Sequence, residues 1–346
     1  MNILLILSHA VEEYDQLRLL TSLGYDCFSL GGYIDPAHPH DPKRPPLPEA
    51  PYHPDLRAAV DGLGVENNIG AAAENIPDAI LDWLGDDGAI IAHHYLDKRI
   101  VPQWPRLRDW KRDASGRRII WRSVGQSVEH NERMMAPLRA EGLERVAYSP
   151  KEANIPGYAG HDVLIRFYKD PAEYGGWTGE DEVVLLFGQD IVQRGRWTNW
   201  PFAAAATDGL PVRLIGSGSE EYGGMGQVSA EELRLQLRRC RVHLYTGTQP
   251  ASYTLGLIEA MMTGLPTVSI GPAYMDIFPY GPALFEGHEL ATDYGIDPVR
   301  AQEQLAIWLH GRDAEWPIQD SAWTRQRAID LFGRERIAAQ WKAFLG

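Results

Sequence analysis

The opening thirty or so residues constrain this chain's fold most strongly. Asn2 to Leu7 is an unbroken apolar run, the pattern of a parallel strand covered on both faces. Leu17, Leu19, Leu20 and Leu23 then predict a helix stopped by Gly24, and Tyr25 to Leu30 reads as a second strand. Strand, helix and strand within about thirty residues mark a doubly wound α/β sheet.

The alternation continues. Gly88 to Ala92, Arg118 to Arg122, Arg145 to Ser149 and Val163 to Phe167 read as further strands, with a helix over Ile76 to Leu84 that carries Pro77 in its first turn. Asp170 to Asp181, with Pro171 and the Gly175–Gly176 pair, reads as a linker. Beyond it, Val183 to Phe187, Val212 to Ile215, Val242 to Tyr245 and Leu265 to Ile270 are strands, and a helix runs through Trp200 to Ala206. Ser229 and Glu232 form a capping box before a helix with Leu233, Leu237 and Cys240 on one face. At 346 residues the chain exceeds one ordinary core, so two domains of this kind are expected.

Charge and composition narrow the partners. A net charge of −14 opposes broad contact with a nucleic-acid backbone, DNA included, or an anionic bilayer. No apolar run reaches the ~20 residues that span a bilayer, and MNILLILSHA lacks a basic leader, so a first strand is expected there rather than a signal peptide. Cys27 and Cys240 stand far apart with no metal-ligand spacing. Reduced thiols in the cytoplasm are the expectation. No Ser/His/Asp ordering, P-loop or zinc spacing occurs. The eight prolines from Pro36 to Pro54 make a long loop, and its His38, His40 and His53 read as solvated.

The stretch from Tyr245 to Gly271 carries the chemistry. It reads as a strand end, a polar loop, a helix opening near Ser252 to Thr254, and a cap at Gly264. A helix start offers unpaired backbone N–H groups and the positive end of a dipole, which suits phosphate. Glu259 is a lone carboxylate in an otherwise apolar helix. In QDIVQRG, Arg194 beside Gly195 can fork onto a diphosphate. GSGSEE supplies Gly216 and Gly218 but has Glu221 where a dinucleotide fingerprint needs its third glycine. It remains a turn that lets backbone approach a ligand. His93 and His94 end a strand, where a ligand contact, general acid/base work or a purely structural role are all open.

In order along the chain, these segments resemble the retaining GT-B glycosyltransferases that use nucleotide sugars. Gly188 with QDIVQRG resembles the family's strand, Gly-Arg and Lys-Gly segment, and RLIGSGSE its strand ending in Gly-x-Gly. GQVSAEELRLQLRRCRVHLYTG resembles its Gly-x-Val, capped helix and strand. ASYTLGLIEAMMTGLPTVS resembles its signature of two glutamates with seven residues between them, then Ala-Met, Gly-x-Pro and Val. FGRERIAAQWKAFL, Phe332 to Leu345, resembles the terminal helix that returns to the first domain. The resemblance implies two tandem Rossmann-like domains facing across a cleft. Residues 1–170 would form the acceptor side and 171–325 the nucleotide-sugar side, with 326–346 a terminal helix on the first domain.

By position the resemblance makes Glu259 the carboxylate that holds the ribose hydroxyls, since it accepts two hydrogen bonds from a diol. Ser252, Tyr253 and Thr254 fall in the loop that meets phosphate or sugar. Arg194 matches the diphosphate lysine and Val228 the residue whose backbone reads the base, while Gln189 falls where the partner arginine usually sits and so removes one positive charge there. Several positions depart from the pattern. Ala251 replaces the first signature glutamate, no histidine stands near Ser123 and Val124, and Ser8-His9-Ala10 replaces the glycine-rich first loop. The implied activity is retaining sugar transfer to an unidentified acceptor. No metal is expected, because the Asp-x-Asp signature of metal-using transferases is absent. The alternatives are a catalytically degenerate nucleotide-binding subunit and a nucleotide-sugar epimerase or hydrolase.

Overall fold

A computed structural model of the chain describes residues 1–6, 10–30, 53–62, 76–93, 100–125, 128–275, 281–311 and 316–346. Most of the proline-rich stretch, with His38 and His40, lies outside these residues, as do Ser8, His9, His94, Tyr95 and Gln126. Contacts divide the chain into two compact units, Met1–Tyr168 with Ile337–Gly346, and Lys169–Arg336.

The first unit is a six-stranded sheet in the order β2-β1-β3-β4-β5-β6. Its strands are β1 (Asn2–Ile6), β2 (Asp26–Ser29), β3 (Ala89–His93), β4 (Arg118–Arg122), β5 (Glu144–Ala147) and β6 (Val163–Leu164). Every pairing is parallel. Helices α1 (Ala10–Ser22), α2 (Pro54–Asp61), α3 (Asp78–Leu84), α4 (Trp104–Asp113) and α5 (Glu129–Ala140) connect them. Ile3, Leu4, Leu5 and Ile6 are fully buried, which is why β1 reads as a continuous apolar run. Pro77 caps α3 instead of lying within it.

Among the helices that the sequence did not single out are α2 and α4. The final proline of the rich stretch, Pro54, opens α2, where its missing N–H leaves no helical bond unmade. In α4 the buried residues are Trp104, Leu107 and Trp110, a three-residue spacing obscured by Pro105, Arg106, Arg108 and Asp109 between them.

The second unit is a five-stranded sheet in the order β11-β10-β9-β7-β8, again wholly parallel. The strands are β7 (Asp181–Phe187), β8 (Val212–Ile215), β9 (Cys240–Tyr245), β10 (Thr267–Ile270) and β11 (Asp293–Gly295). Helices α6 (Trp200–Ala206), α7 (Ala230–Arg239), α8 (Leu255–Thr263), α9 (Pro298–His310) and α10 (Trp316–Phe332) cover them. Cys240 begins β9 and is not part of the apolar face of α7. At the start of α7, Ser229 Oγ accepts from Glu232 N at 3.1 Å. The Glu232 carboxylate meets Gln236 one turn on, so only half of the expected capping box is seen in these bonds.

Helix α11 (Arg334–Leu345) follows α10 after Gly333. Its Ile337–Gly346 portion belongs to the first unit. There the Arg122 guanidinium lies 5.1 Å from the ring centre of Trp341, and Arg118 lies 4.1 Å from that of Phe344. Among the described residues no helix is long and apolar enough to cross a membrane.

In the second sheet β7 pairs with β8 on one side and β9 on the other. The connections leaving β7 and β9 therefore part to opposite sides, the switch point at which open α/β sheets bind ligands.

Candidate functional site

Three loops meet at the carboxyl edge of the second sheet. The first follows β7 and begins at Gly188. Asp190 is left-handed there, with φ of 48°, a conformation asparagine and aspartate tolerate best among residues with a side chain. Its N–H donates to Ser217 O at 3.0 Å, and Ser217 Oγ donates to Asp190 Oδ1 at 2.9 Å. The second loop thus rests directly on the first. Gly216 makes this possible, because a Cβ there would lie 1.9 Å from Gly188 O. Its local task is loop-to-loop packing.

Gln189 Nε2 donates to Gln227 Oε1 at 2.7 Å, and Gln227 Nε2 donates to Val228 O at 3.1 Å. The structure therefore brings Gln189, Gly216 and Val228 into one patch, joined through a glutamine that the sequence had not singled out. Arg194 is exposed, its N–H donating to Asp190 O at 2.9 Å, at the entrance to a tight turn over Gly195–Thr198.

The third loop leaves β9 and enters α8. Gln249 N donates to Trp197 O at 2.8 Å, and Gln249 Nε2 donates to Asn199 Oδ1 at 3.0 Å. Asn199, left-handed with φ of 55°, donates Nδ2 to Thr246 O at 2.8 Å. These bonds tie the β9 loop to the end of the β7 loop. Ser252 is buried, and its carbonyl accepts from Glu286 N and Gly287 N at 2.9 and 3.1 Å. Tyr253 packs its ring 5.5 Å from that of Phe332. Thr254 is the half-buried N-cap of α8, in extended conformation and with no side-chain capping bond. A phosphate here would meet the first-turn amides of α8 and Thr254, while the side chains of Ser252 and Tyr253 serve the core. Burial raises the pKa of the Tyr245 phenol behind this loop, against an opposing hydrogen bond from Thr254.

Glu259 lies in the second turn of α8 and is 6% exposed. Its Oε1 accepts from Lys169 Nζ at 2.8 Å and from the Tyr174 hydroxyl at 3.3 Å. Lys169, the first residue of the second unit, is 1% exposed. Sequence reasoning missed it because 90 residues separate the partners. A lysine ending the stretch Val163–Tyr168, apolar but for Arg166, was the one available signal.

In the first unit His93 ends β3 and is 1% exposed. Its Nδ1 lies 3.2 Å from Glu12 Oε1, and Arg122 Nε lies 3.3 Å from the same oxygen. It therefore belongs to a buried charged cluster, while His94 lies outside the described residues. A second cluster was not anticipated. Ser123 Oγ donates to Glu152 Oε2 at 2.8 Å, and Arg145 pairs with Glu132 at 2.7 Å and with Glu152 at 3.4 Å. Burial pushes the Glu152 carboxyl up to about 7, with Arg145 opposing. Among the described residues no group of three or more His, Cys, Asp or Glu side chains could hold a metal ion.

No protein-family model matches the chain, and no curated protein matches it in sequence. Solved structures do. A glycosyltransferase from Rickettsia africae ESF-5 superposes with a TM-score of 0.64 at 11% identity, covering 99% of this chain and 97% of that one. HepE from Anabaena, solved in complex with UDP-glucose, gives 0.61 at 14% identity over 100% and 99% of the two chains. TarM gives 0.55 at 12% identity over 81% of this chain, which spans only 58% of TarM's length. What the chain shares with these proteins is the fold, two parallel-sheet α/β domains of the GT-B type.

Proposed function

We propose that the protein is a glycosyltransferase that takes a sugar from a nucleoside-diphosphate donor and passes it to an acceptor with retention, without a metal ion. The observation that carries this reading is the switch point between β7 and β9. The uncapped start of α8, the exposed Arg194 and the carboxylate-bearing face of α8 all belong to elements that leave this edge. HepE, which shares the fold over its full length, holds UDP-glucose.

Cleaving the donor leaves negative charge on the departing diphosphate. Fixed N–H dipoles and a guanidinium stabilise that charge without reorganising during the reaction. The helix start and Arg194 supply them, in the role a divalent cation would otherwise fill. The departing phosphate oxygen takes the acceptor's proton, so no side-chain base is required. Glu259 accepts the ribose hydroxyls. Both cysteines are buried free thiols, which suits a reducing compartment such as the cytoplasm.

Calorimetry with UDP, GDP, ADP, CDP and dTDP tests the reading. One nucleotide should bind, and Glu259→Ala and Arg194→Ala should each weaken it about tenfold. No binding by any of the five would refute the proposal. Ala251 stands where the family has its first signature glutamate and favours a second reading, a nucleotide-binding subunit without turnover. Donor consumption measured with and without acceptors separates the two.

A further inference from the structure

A carboxylate in an apolar helix would take up a proton unless something held its charge. Glu259 has such a partner in the Lys169 ammonium, 2.8 Å from Oε1. The Tyr174 hydroxyl reaches the same oxygen at 3.3 Å. Lys169 is itself anchored, since its N–H donates to Phe332 O at 3.0 Å and its backbone bridges Gly333. Two donors converging on Oε1 also fix the rotation of the carboxylate, and with it the direction of Oε2.

We infer that Lys169 is a positioning residue for nucleotide recognition. It keeps Glu259 ionised and holds it in the orientation that accepts the ribose hydroxyls, with Tyr174 as a second support. This rests on the reading of Glu259 as the ribose ligand. A protonated Glu259 would lose acceptor capacity, so recognition of the diol would weaken even though Lys169 never touched the nucleotide. A lysine that merely fastens the start of the second unit to α8 would change stability and leave ligand selectivity alone.

The test compares the best-binding ribonucleoside diphosphate, chosen from UDP, GDP, ADP and CDP, with its 2′,3′-dideoxy counterpart by calorimetry, with thermal melting recorded in parallel. The parent protein should prefer the ribose form by about tenfold, the worth of a hydrogen bond to a charged group. Lys169→Met and Glu259→Ala should both bring that preference close to one. Lys169→Arg should restore part of it, and Tyr174→Phe should reduce it about twofold. If Lys169→Met lowers the melting temperature but keeps the preference, while Glu259→Ala abolishes it, the inference is overturned and the ribose reading stands. If Glu259→Ala also keeps the preference, the ribose reading fails and takes the inference with it. Should Lys169→Met not fold, Tyr174→Phe decides: a reduced preference supports the inference and an unchanged one overturns it.

Discussion

The two units share an architecture and differ at the carboxyl edges of their sheets. Both are parallel sheets with a switch point, at β1 and β3 in the first and at β7 and β9 in the second. The first unit packs its edge with buried charge. Glu12, His93 and Arg122 form one group, and Ser123, Glu132, Arg145 and Glu152 another. The second unit builds its edge from backbone, with Gly216, left-handed Asp190 and Asn199, and an exposed arginine. Charges that satisfy one another hold a platform rigid, whereas close-packed backbone loops leave N–H groups available to a ligand. The fold sets where an edge lies, and the loop residues set what that edge can do.

Arg145→Met should have the largest effect. It leaves two carboxylates buried without their cation, and the loss should be ~3–5 kcal/mol by urea unfolding. Nucleotide affinity of the protein that remains folded should not change. A loss of affinity would mean that the charged edge also serves the ligand.

The pH dependence of the two units should run in opposite directions. Glu152 has its folded pKa raised from 4.5 to about 7, so its contribution is fully present below its unfolded value. That contribution is lost as pH rises from about 4.5 through about 7, at most ~3 kcal/mol. His243 in the second unit is buried against Phe187, and burial lowers its pKa from 6.5 to about 3. Its contribution is present above the unfolded value and is lost as pH falls from about 6.5 towards about 3. Urea unfolding across this range should show Glu152→Gln flattening only the rise-side loss. An unchanged profile would show that Glu152 is ionised throughout.

The two units should also respond differently to glycine substitution. Gly216→Ala meets Gly188 O and a φ of 136°, and should cost about 2 kcal/mol and weaken nucleotide binding. Gly24→Ala, with φ of 89° and open space around it, should cost about 1 kcal/mol and leave binding alone. The smallest effect belongs to Asp190→Asn. It preserves a side chain that tolerates the left-handed region and can accept from Ser217, while removing one negative charge from the β7 loop. Stability should move by less than about 0.5 kcal/mol, and calorimetry should show diphosphate affinity rising about twofold.

Several elements are legible in the residues alone, because their signals are local. The run Asn2–Leu7, the Gly24 and Gly264 stops and the Ser229 cap each depend on a few neighbouring residues. Helix α4 is hidden because its apolar spacing is diluted by charge, and α2 because prolines precede it. The loop position of Arg194 and the start of α8 are legible for the same local reason. The burial of Tyr253 and the contact between Gly216 and Gly188 are not, since both depend on which loops pack together.

The alternation of strands and helices, the start of α8 and the lone carboxylate at Glu259 are written in local residue patterns. Those properties follow from side-chain period, backbone chemistry and helix caps, all short-range. Tertiary structure alone decided that β7 lies between β8 and β9, that Gln227 joins Gln189 to Val228, and that Lys169 holds Glu259 across 90 residues. Such pairings form only when burial removes water from both partners, and no local pattern records which two residues will meet.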